Sequence, residues 1–425
     1  MLGGCIVNSN PGLPLVSVIT PSFNQAVFIE ETINSVINQG YQNVEHIVID
    51  GGSTDGTIEI LEKYNTLLKN QFRFISEQDR GQSNAINKGI KMANGEIIGW
   101  LNSDDTYLPD AIQKGVEALN INPSWGMVYG KAYHINEKSD IITPYFVTKG
   151  NDYKSLFNDC AICQPATFIK KNVLDKLGGV DEDLDFCMDY DLWIRISEQY
   201  NLGFIDHYLA CARIHSSAKS TVNWVSVGIP EILKTSMKHY GEISNKWLST
   251  FINTHNIKDK SWILKKCREY SIFKDSPHIQ KINLYEDLWA PPTLFISVEA
   301  NSLNPLHTLL IKGTNYHKFN DLSWEVSINK RKIKKYLIPP GEFTIEIPIN
   351  SEKNNNIIKI FSNKYIVPAK LNISNDSRPL SFIAHEILPL SQVEYELTKI
   401  LKADYNFIKA WLKKNRKENS LNKNI

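Results

Sequence analysis

The spacing of apolar and polar positions divides the chain into distinct regimes. From about residue 15 to 220, short β-branched runs alternate with stretches of helical period. Residues 16–20 (VSVIT) predict a strand that Pro21 ends. Between 26 and 38, Val27, Ile33, Val36 and Ile37 fall near helical spacing. Residues 44–49 (VEHIVI) predict the next strand, stopped by Asp50-Gly51-Gly52, and the alternation continues as helix 57–64, strand 72–75 and helix 82–93. Residues 97–101 (IIGWL) are apolar enough for a buried strand and empty into Asn102-Ser103-Asp104-Asp105. Pro109 suits the first turn of another helix, and residues 127–129 form a further strand. Such alternation predicts an α/β fold, a mostly parallel sheet flanked by helices. Ligands then bind beyond the carboxyl ends of the strands. Asp50 and the Asp104/Asp105 pair fall at that end.

Past residue 225 the pattern changes to helices at 229–240, 244–253 and 260–270. From about Leu294, period-two runs (FISVEA, HTLLIKG, WEVSIN, FTIEIPI, IIKIF, LSFIAHEI) broken by Gly, Asn and Pro predict a small antiparallel β-sandwich. The expected organisation is an α/β domain at 1–224, a helical linker at 225–285, a sandwich at 286–392 and an amphipathic helix with a basic tail at 393–425. That last helix suits either packing on a neighbour or peripheral docking on the inner face of an anionic membrane, and packing is the simpler reading.

Composition narrows the class. Lys+Arg 47 against Asp+Glu 46 gives a net charge of +1, which offers no electrostatic footing for nucleic acid. The six cysteines (Cys5, Cys160, Cys163, Cys187, Cys211, Cys267) are sparse for 425 residues, as in a reducing compartment. Cys160-x-x-Cys163 has no second pair to complete a zinc site and reads as buried thiols. No apolar run reaches the roughly eighteen residues of a membrane span. The first residues carry neither a basic nor an apolar signal region, so a cytoplasmic protein is expected.

Four stations in the first half carry candidate chemistry. Thr20-Pro21-Ser22-Phe23-Asn24 and Asp50-Gly51-Gly52-Ser53-Thr54-Asp55 follow the first two strands, with neither G-x-G-x-x-G nor a Walker loop. Asp50 could accept hydrogen bonds from a base or ribose, whereas Asp55 reads as a helix cap. Arg80-Gly81 precedes a helix start that offers free amides to an anion. Arg80 reads equally as a surface partner of Glu77 or Asp79. The adjacent carboxylates Asp104 and Asp105 repel unless a cation intervenes, or else they form a solvated turn. The acidic stretch 181–191 ends in Met188-Asp189-Tyr190-Asp191-Leu192-Trp193-Ile194-Arg195, where Asp191 suits a helix N-terminus. Trp193 and Arg195 read as packing and ion pairing.

The segments LVSVITPSFNQ, VIDGGSTDGT, SEQDRGQSNAINKG, GEIIGWLNSDD and FCMDYDLWIRIS, in this order, resemble the family 2 glycosyltransferases of the GT-A fold. That resemblance implies a nucleotide-sugar donor, UDP by preference, a metal (Mn²⁺ or Mg²⁺), and a glycan or lipid-linked acceptor. It puts Pro21, Ser22, Asn24, Gly52 and Arg80 around the donor, with Asp50 on the base and Asp104 on the ribose side. Asp105 is implied as the metal ligand and Asp189 as the general base, though many members carry Glu-Asp where this chain has Met188-Asp189. Within Arg213-Ile214-His215-Ser216-Ser217-Ala218-Lys219, His215 is a candidate metal or phosphate contact and Lys219 a phosphate partner. The Q-x-x-R-W motif of processive synthases is missing, which implies single addition, and the resemblance implies an inverting hexosyltransferase of cell-surface polysaccharide synthesis. The distal sandwich resembles an accessory β-domain of some bacterial glycan-modifying enzymes, which assigns it no chemistry. Two rivals stand beside this reading. One is an inactive transferase-like scaffold or glycan-binding protein that works through its sandwich. The other is a sugar nucleotidyltransferase, which needs a Gly-rich first loop that Thr20–Asn24 does not provide.

Overall fold

A computed structural model describes residues 12–254, 278–300, 305–317, 319–349 and 355–392, together with Glu394, Tyr395 and Thr398. The predicted helix 260–270 and nearly all of the tail helix lie outside the described residues. The chain divides between Gly241 and Glu242 into two compact units.

The first unit begins with β1 (Val16–Ser22), α1 (Ile29–Ile37), β2 (Val44–Asp50), α2 (Thr57–Leu68), β3 (Phe72–Ser76), α3 (Gln82–Met92) and β4 (Ile97–Trp100). These strands pair in parallel in the order β3-β2-β1-β4. The register sets Ser22 beside Asp50 and Asp50 beside Ser76, so three polar side chains share one rim. Both β1 and β4 are buried along their whole length, as strands covered on two faces must be.

Then follow β5 (Thr106–Tyr107), α4 (Ala111–Ile121), β6 (Trp125–Ile135), β7 (Ile141–Pro144), α5 (Tyr153–Asn158), β8 (Thr167–Lys170), α6 (Lys171–Leu177), α7 (Met188–Gln199), β9 (Asn201–Arg213), α8 (Lys219–Val222) and α9 (Ile229–Tyr240). Here the sheet becomes mixed. β8 runs antiparallel to both β4 and β6, β6 and β9 are parallel, and β5 and β7 close antiparallel at the far side. The first unit therefore includes α9, and no helix among the described residues is long and apolar enough to cross a membrane.

The second unit carries α10 (Asn245–Thr254) and the strands β10 (Ile279–Ile282), β11 (Thr293–Glu299), β12 (Leu306–Asn315), β13 (Ser323–Ile328), β14 (Arg331–Leu337), β15 (Gly341–Pro348), β16 (Asn355–Ser362) and β17 (Ile383–Ser391). They form two antiparallel sheets, ordered β10-β11-β16-β13-β14 and β15-β12-β17. β16 alternates exposed and buried positions without a break, the signature of one face on a core. That core holds Trp324, with ring centroids 5.2 Å from Phe343 and 4.6 Å from Phe382.

Candidate active site

The rim at the ends of β1 and β2 is built by two loops that clasp each other. Asn24 adopts φ 52°, and its amide donates to Ser53 Oγ at 2.7 Å while its Oδ1 accepts from Thr54 N at 2.9 Å. Gln25 N donates to Thr57 Oγ1 and Ala26 N to Asp55 Oδ2. Asp55 also accepts from Thr57 N at 3.1 Å and so caps the approach to α2. Asp50 is fully buried. Its carboxylate accepts from Gly52 N at 3.0 Å, Ser53 N at 2.9 Å, Ser53 Oγ at 2.5 Å and Ser76 Oγ at 2.7 Å. Gly52 holds φ 86°, a conformation open to glycine. Pro21 is buried in β1, and Ser22 Oγ is buried with no hydrogen-bond partner among the described residues. Beside them the Phe23 ring stands 60% exposed, a flat aromatic face on the rim that sequence reading passed over.

The acidic pair after β4 is split by its surroundings. Thr32 Oγ1 on α1 donates to the carbonyls of Ser103 (3.0 Å) and Asp105 (2.8 Å), which fixes the turn. Asp105 points inward, where its Oδ1 accepts from Arg213 N at 2.9 Å and its Oδ2 from Asn102 Nδ2 at 3.2 Å. Burial, with the Asp104 charge second, pushes the Asp105 carboxyl well above the usual carboxylate range. Asp104 keeps 21% side-chain exposure, and its Oδ2 lies 3.0 Å from His215 Nε2. His215 Nδ1 is 2.9 Å from Ser217 Oγ. The Arg213 side chain is wholly buried, donating to Asp104 O at 2.7 Å and pairing with Glu31 at 2.7 Å. Thus His215 meets Asp104 and not Asp105, the carboxylate that the sequence pairs with the metal.

These donors can be tested for a divalent cation by their chemistry. Hard cations are held by one or two carboxylates, with substrate phosphates completing the shell. Asp104 with His215 is such an incomplete set. No cluster of three or more His, Cys, Asp or Glu that could hold a metal occurs among the described residues. The pair fits a cation that substrate oxygens complete.

From this turn an amide chain runs toward the acidic stretch. Asn102 Oδ1 accepts from Trp100 Nε1 at 3.0 Å and Gln82 Nε2 at 2.9 Å, and its Nδ2 donates to Gln164 Oε1 at 2.8 Å. Gln82 Oε1 in turn accepts from Lys219 Nζ at 3.2 Å. Asn102, Gln82 and Gln164 escaped sequence reading because amides carry no charge signal. Asn102, directly before the acidic pair at the end of a buried strand, was the available clue. Burial depresses Lys219, while the charges of Asp185, Glu231 and Asp189 oppose that loss. Asp189, half-buried in the first turn of α7, accepts from Tyr190 N at 2.7 Å. Burial raises its carboxyl to about 6, against the backbone amides and Lys219 that favour the charge.

The remaining candidates have partners of their own. Arg80 is 79% exposed and pairs with Glu182 at 2.6 Å, a partner further along the chain than the Glu77 or Asp79 expected for a surface ion pair. Asp191 is fully buried and held by Arg195 (2.7 Å), His239 (2.7 Å) and Lys238 (3.1 Å). Desolvation opposes its charge, but these partners win and hold it well below the usual range. Trp193 is core. Cys160 and Cys163 are free thiols that burial pushes up.

Comparison with known proteins follows the same segments. The family model described as "Glycosyl transferase family 2" matches residues 17–178. A glycosyltransferase of Rickettsia typhi is 30% identical over 225 residues, covering 50% of this chain and 67% of its own. Chondroitin synthase of Pasteurella multocida is 24% identical over 373 residues, 85% of this chain and 37% of that protein. The crystal structure of residues 1–349 of S. aureus TarS with UDP-GlcNAc aligns with a TM-score of 0.49 and 17% identity, over 60% of this chain and 80% of that one. The chain spans between 31% and 67% of the length of the rickettsial relatives it matches. With the matched motifs in order along one sheet rim and a relative 30% identical and covered over two thirds of its length, the chain belongs to glycosyltransferase family 2.

Proposed function

We propose that the chain is an inverting, non-processive hexosyltransferase that moves a sugar from a UDP-sugar to a hydroxyl of a glycan or lipid-linked acceptor during cell-surface polysaccharide synthesis. The observation that carries this reading is Asp189, a carboxyl at the head of a helix whose surroundings raise it to about 6. A general base works best when its pKa lies near the operating pH. Asp189 takes the proton of the acceptor hydroxyl. The freed oxygen attacks the anomeric carbon from the side opposite the diphosphate, the bond to phosphate oxygen breaks, and configuration inverts.

The donor's diphosphate lies between Lys219 and the Asp104–His215 pair, and its base on Phe23 beside the orphaned Ser22 hydroxyl. Asp50, with its oxygens already taken by protein donors, serves the base site by fixing the loop of Gly52 and Ser53. Asp104 and His215 would hold Mn²⁺ or Mg²⁺, which would supply Lewis-acid stabilisation of the leaving phosphate. Asp105 then serves the turn as a buried acceptor. Support for a nucleotide-sugar donor comes from membership of glycosyltransferase family 2.

The test is a thermal-shift panel of UDP, UDP-sugars, dTDP and GDP-mannose with and without Mn²⁺. A native-state ligand raises Tm by mass action. A shift for UDP compounds that grows with Mn²⁺ supports the reading. No nucleotide shift at all, with oligosaccharide binding retained, would point to the scaffold alternative instead.

A further inference from the structure

The start of α7 is capped from far away in sequence. The first amides of a helix have no partner inside it, and a local Ser, Thr, Asp or Asn usually supplies one. Cys187 stands at that position and makes no such side-chain bond. Glu231 of α9 instead accepts from the Cys187 amide and from the two loop amides that lead into the helix. Its Oε1 accepts from Asp185 N at 2.9 Å, and its Oε2 accepts from Phe186 N at 2.8 Å and Cys187 N at 3.1 Å. A carboxylate there also meets the positive end of the helix dipole.

Three more contacts come from the same helix. Thr235 Oγ1 lies 3.3 Å from Cys187 Sγ, and Asp191 Oδ1 accepts from His239 Nε2 at 2.7 Å and Lys238 Nζ at 3.1 Å. Positions 231, 235, 238 and 239 fall on one face of a helix. Their targets bracket Asp189, ending two residues before it and resuming two residues after it. Among the described residues Asp189 receives no hydrogen bond from α9, and its carboxylate accepts from Tyr190 N.

We propose that this face of α9 is the positioning device of the general base, with Glu231 its principal positioning residue. The proposal rests on Asp189 being that base. A base displaced by about 1 Å can lose roughly 10²-fold in rate, so fixing both flanks of a single residue has a kinetic purpose. The same fixation leaves the carboxylate of Asp189 free for the acceptor.

The experiment is a double-mutant cycle in the full chain with Mn²⁺. It reads UDP released from UDP-GlcNAc with water as the acceptor. Glu231→Gln is expected to lower kcat by about 10- to 100-fold, while UDP with Mn²⁺ still raises Tm. In an Asp189→Asn background the same change is expected to cost less than about twofold, because the group it positions is gone. His239→Ala, which leaves Asp191 with Arg195 and Lys238, provides a second cycle if Glu231→Gln does not fold. Equal fold-losses in both backgrounds overturn the positioning role and leave α9 a structural support. Wild-type hydrolysis by Asp189→Asn, or none by the native chain, sinks the base or donor reading first and the positioning role with it.

Discussion

At the residue scale, Asp189 and Asp191 look alike in sequence and are set apart by what surrounds them, burial raising the first and cationic neighbours lowering the second against burial. Asp189 has an ordinary value of 3.8 and is raised to about 6 by burial. The fold thus favours its neutral form. That contribution to stability is complete below about 3.8 and lost as pH rises through about 6. Asp189→Asn should then be more stable than the native chain at pH 8, by on the order of 2 kcal/mol, with the gap closing as the pH falls below 6. Urea unfolding at several pH values checks this, and equal stability at pH 8 counts against it. The same variant should lose about 10²–10⁴ in kcat, and the acid limb of native kcat/KM should bend near pH 6.

Asp104 and Asp105 make the complementary case. Asp104→Asn should abolish the Mn²⁺-dependent part of UDP binding in calorimetry, because it removes the carboxylate that meets His215. Asp105→Asn should leave that linkage intact and act on stability, since the buried oxygen it replaces accepts from Arg213 N. The reverse pattern would return the cation to Asp105. The motifs made the rim legible in sequence, but the direction of each carboxylate was not. It depends on Arg213 and Thr32, which are 108 and 73 positions from Asp105.

At the element scale, the parallel half of the sheet could be read from periodicity because its strands are short and apolar, although β1 runs on through Pro21 to Ser22 where a stop at Pro21 was expected. Of β6 only residues 127–129 could be read, and β9 could not. β6 runs over eleven residues and β9 over thirteen, and their pairing is irregular between Gly130 and Ala132. A bulge shifts the two-residue alternation that marks a strand, and the polar run Asp206-His207-Tyr208 blurs it further. α9 was legible to the residue because its caps are local: Pro230 in the first turn and Gly241 at φ 71° after the last.

Helix packing at this scale also yields a test in which two effects compete. Gly89 lies inside α3, where alanine gains up to about 1 kcal/mol of helix propensity. A Cβ there would fall 2.3 Å from Cγ2 of Ile19, a fully buried β1 side chain. Ile is stiff at χ1, and overpacking of this kind costs about 1–3 kcal/mol. The clash should win. Gly89→Ala is expected to lower Tm, and an unchanged or raised Tm would mean that α3 can lift from the sheet without loss.

At the scale of the whole molecule, the first compact unit runs beyond the matched family segment to Gly241. A chain ending at Gly241 should fold cooperatively and keep its Tm shift with UDP and Mn²⁺. A chain ending at Trp224 loses α9. It forfeits burial of Ile229, Ile232 and Leu233, each roughly 1.5–3 kcal/mol, and strips Asp191 of Lys238 and His239, leaving it Arg195. Breaking a buried ion pair costs about 3–5 kcal/mol, and the three amides that Glu231 caps lose their acceptor. Together these reach the whole of the roughly 5–15 kcal/mol by which a domain is stable. The shorter chain should therefore be largely unfolded in circular dichroism and blind to UDP. Equal melting curves for the two lengths would show that α9 is an attachment to the unit and no part of its core.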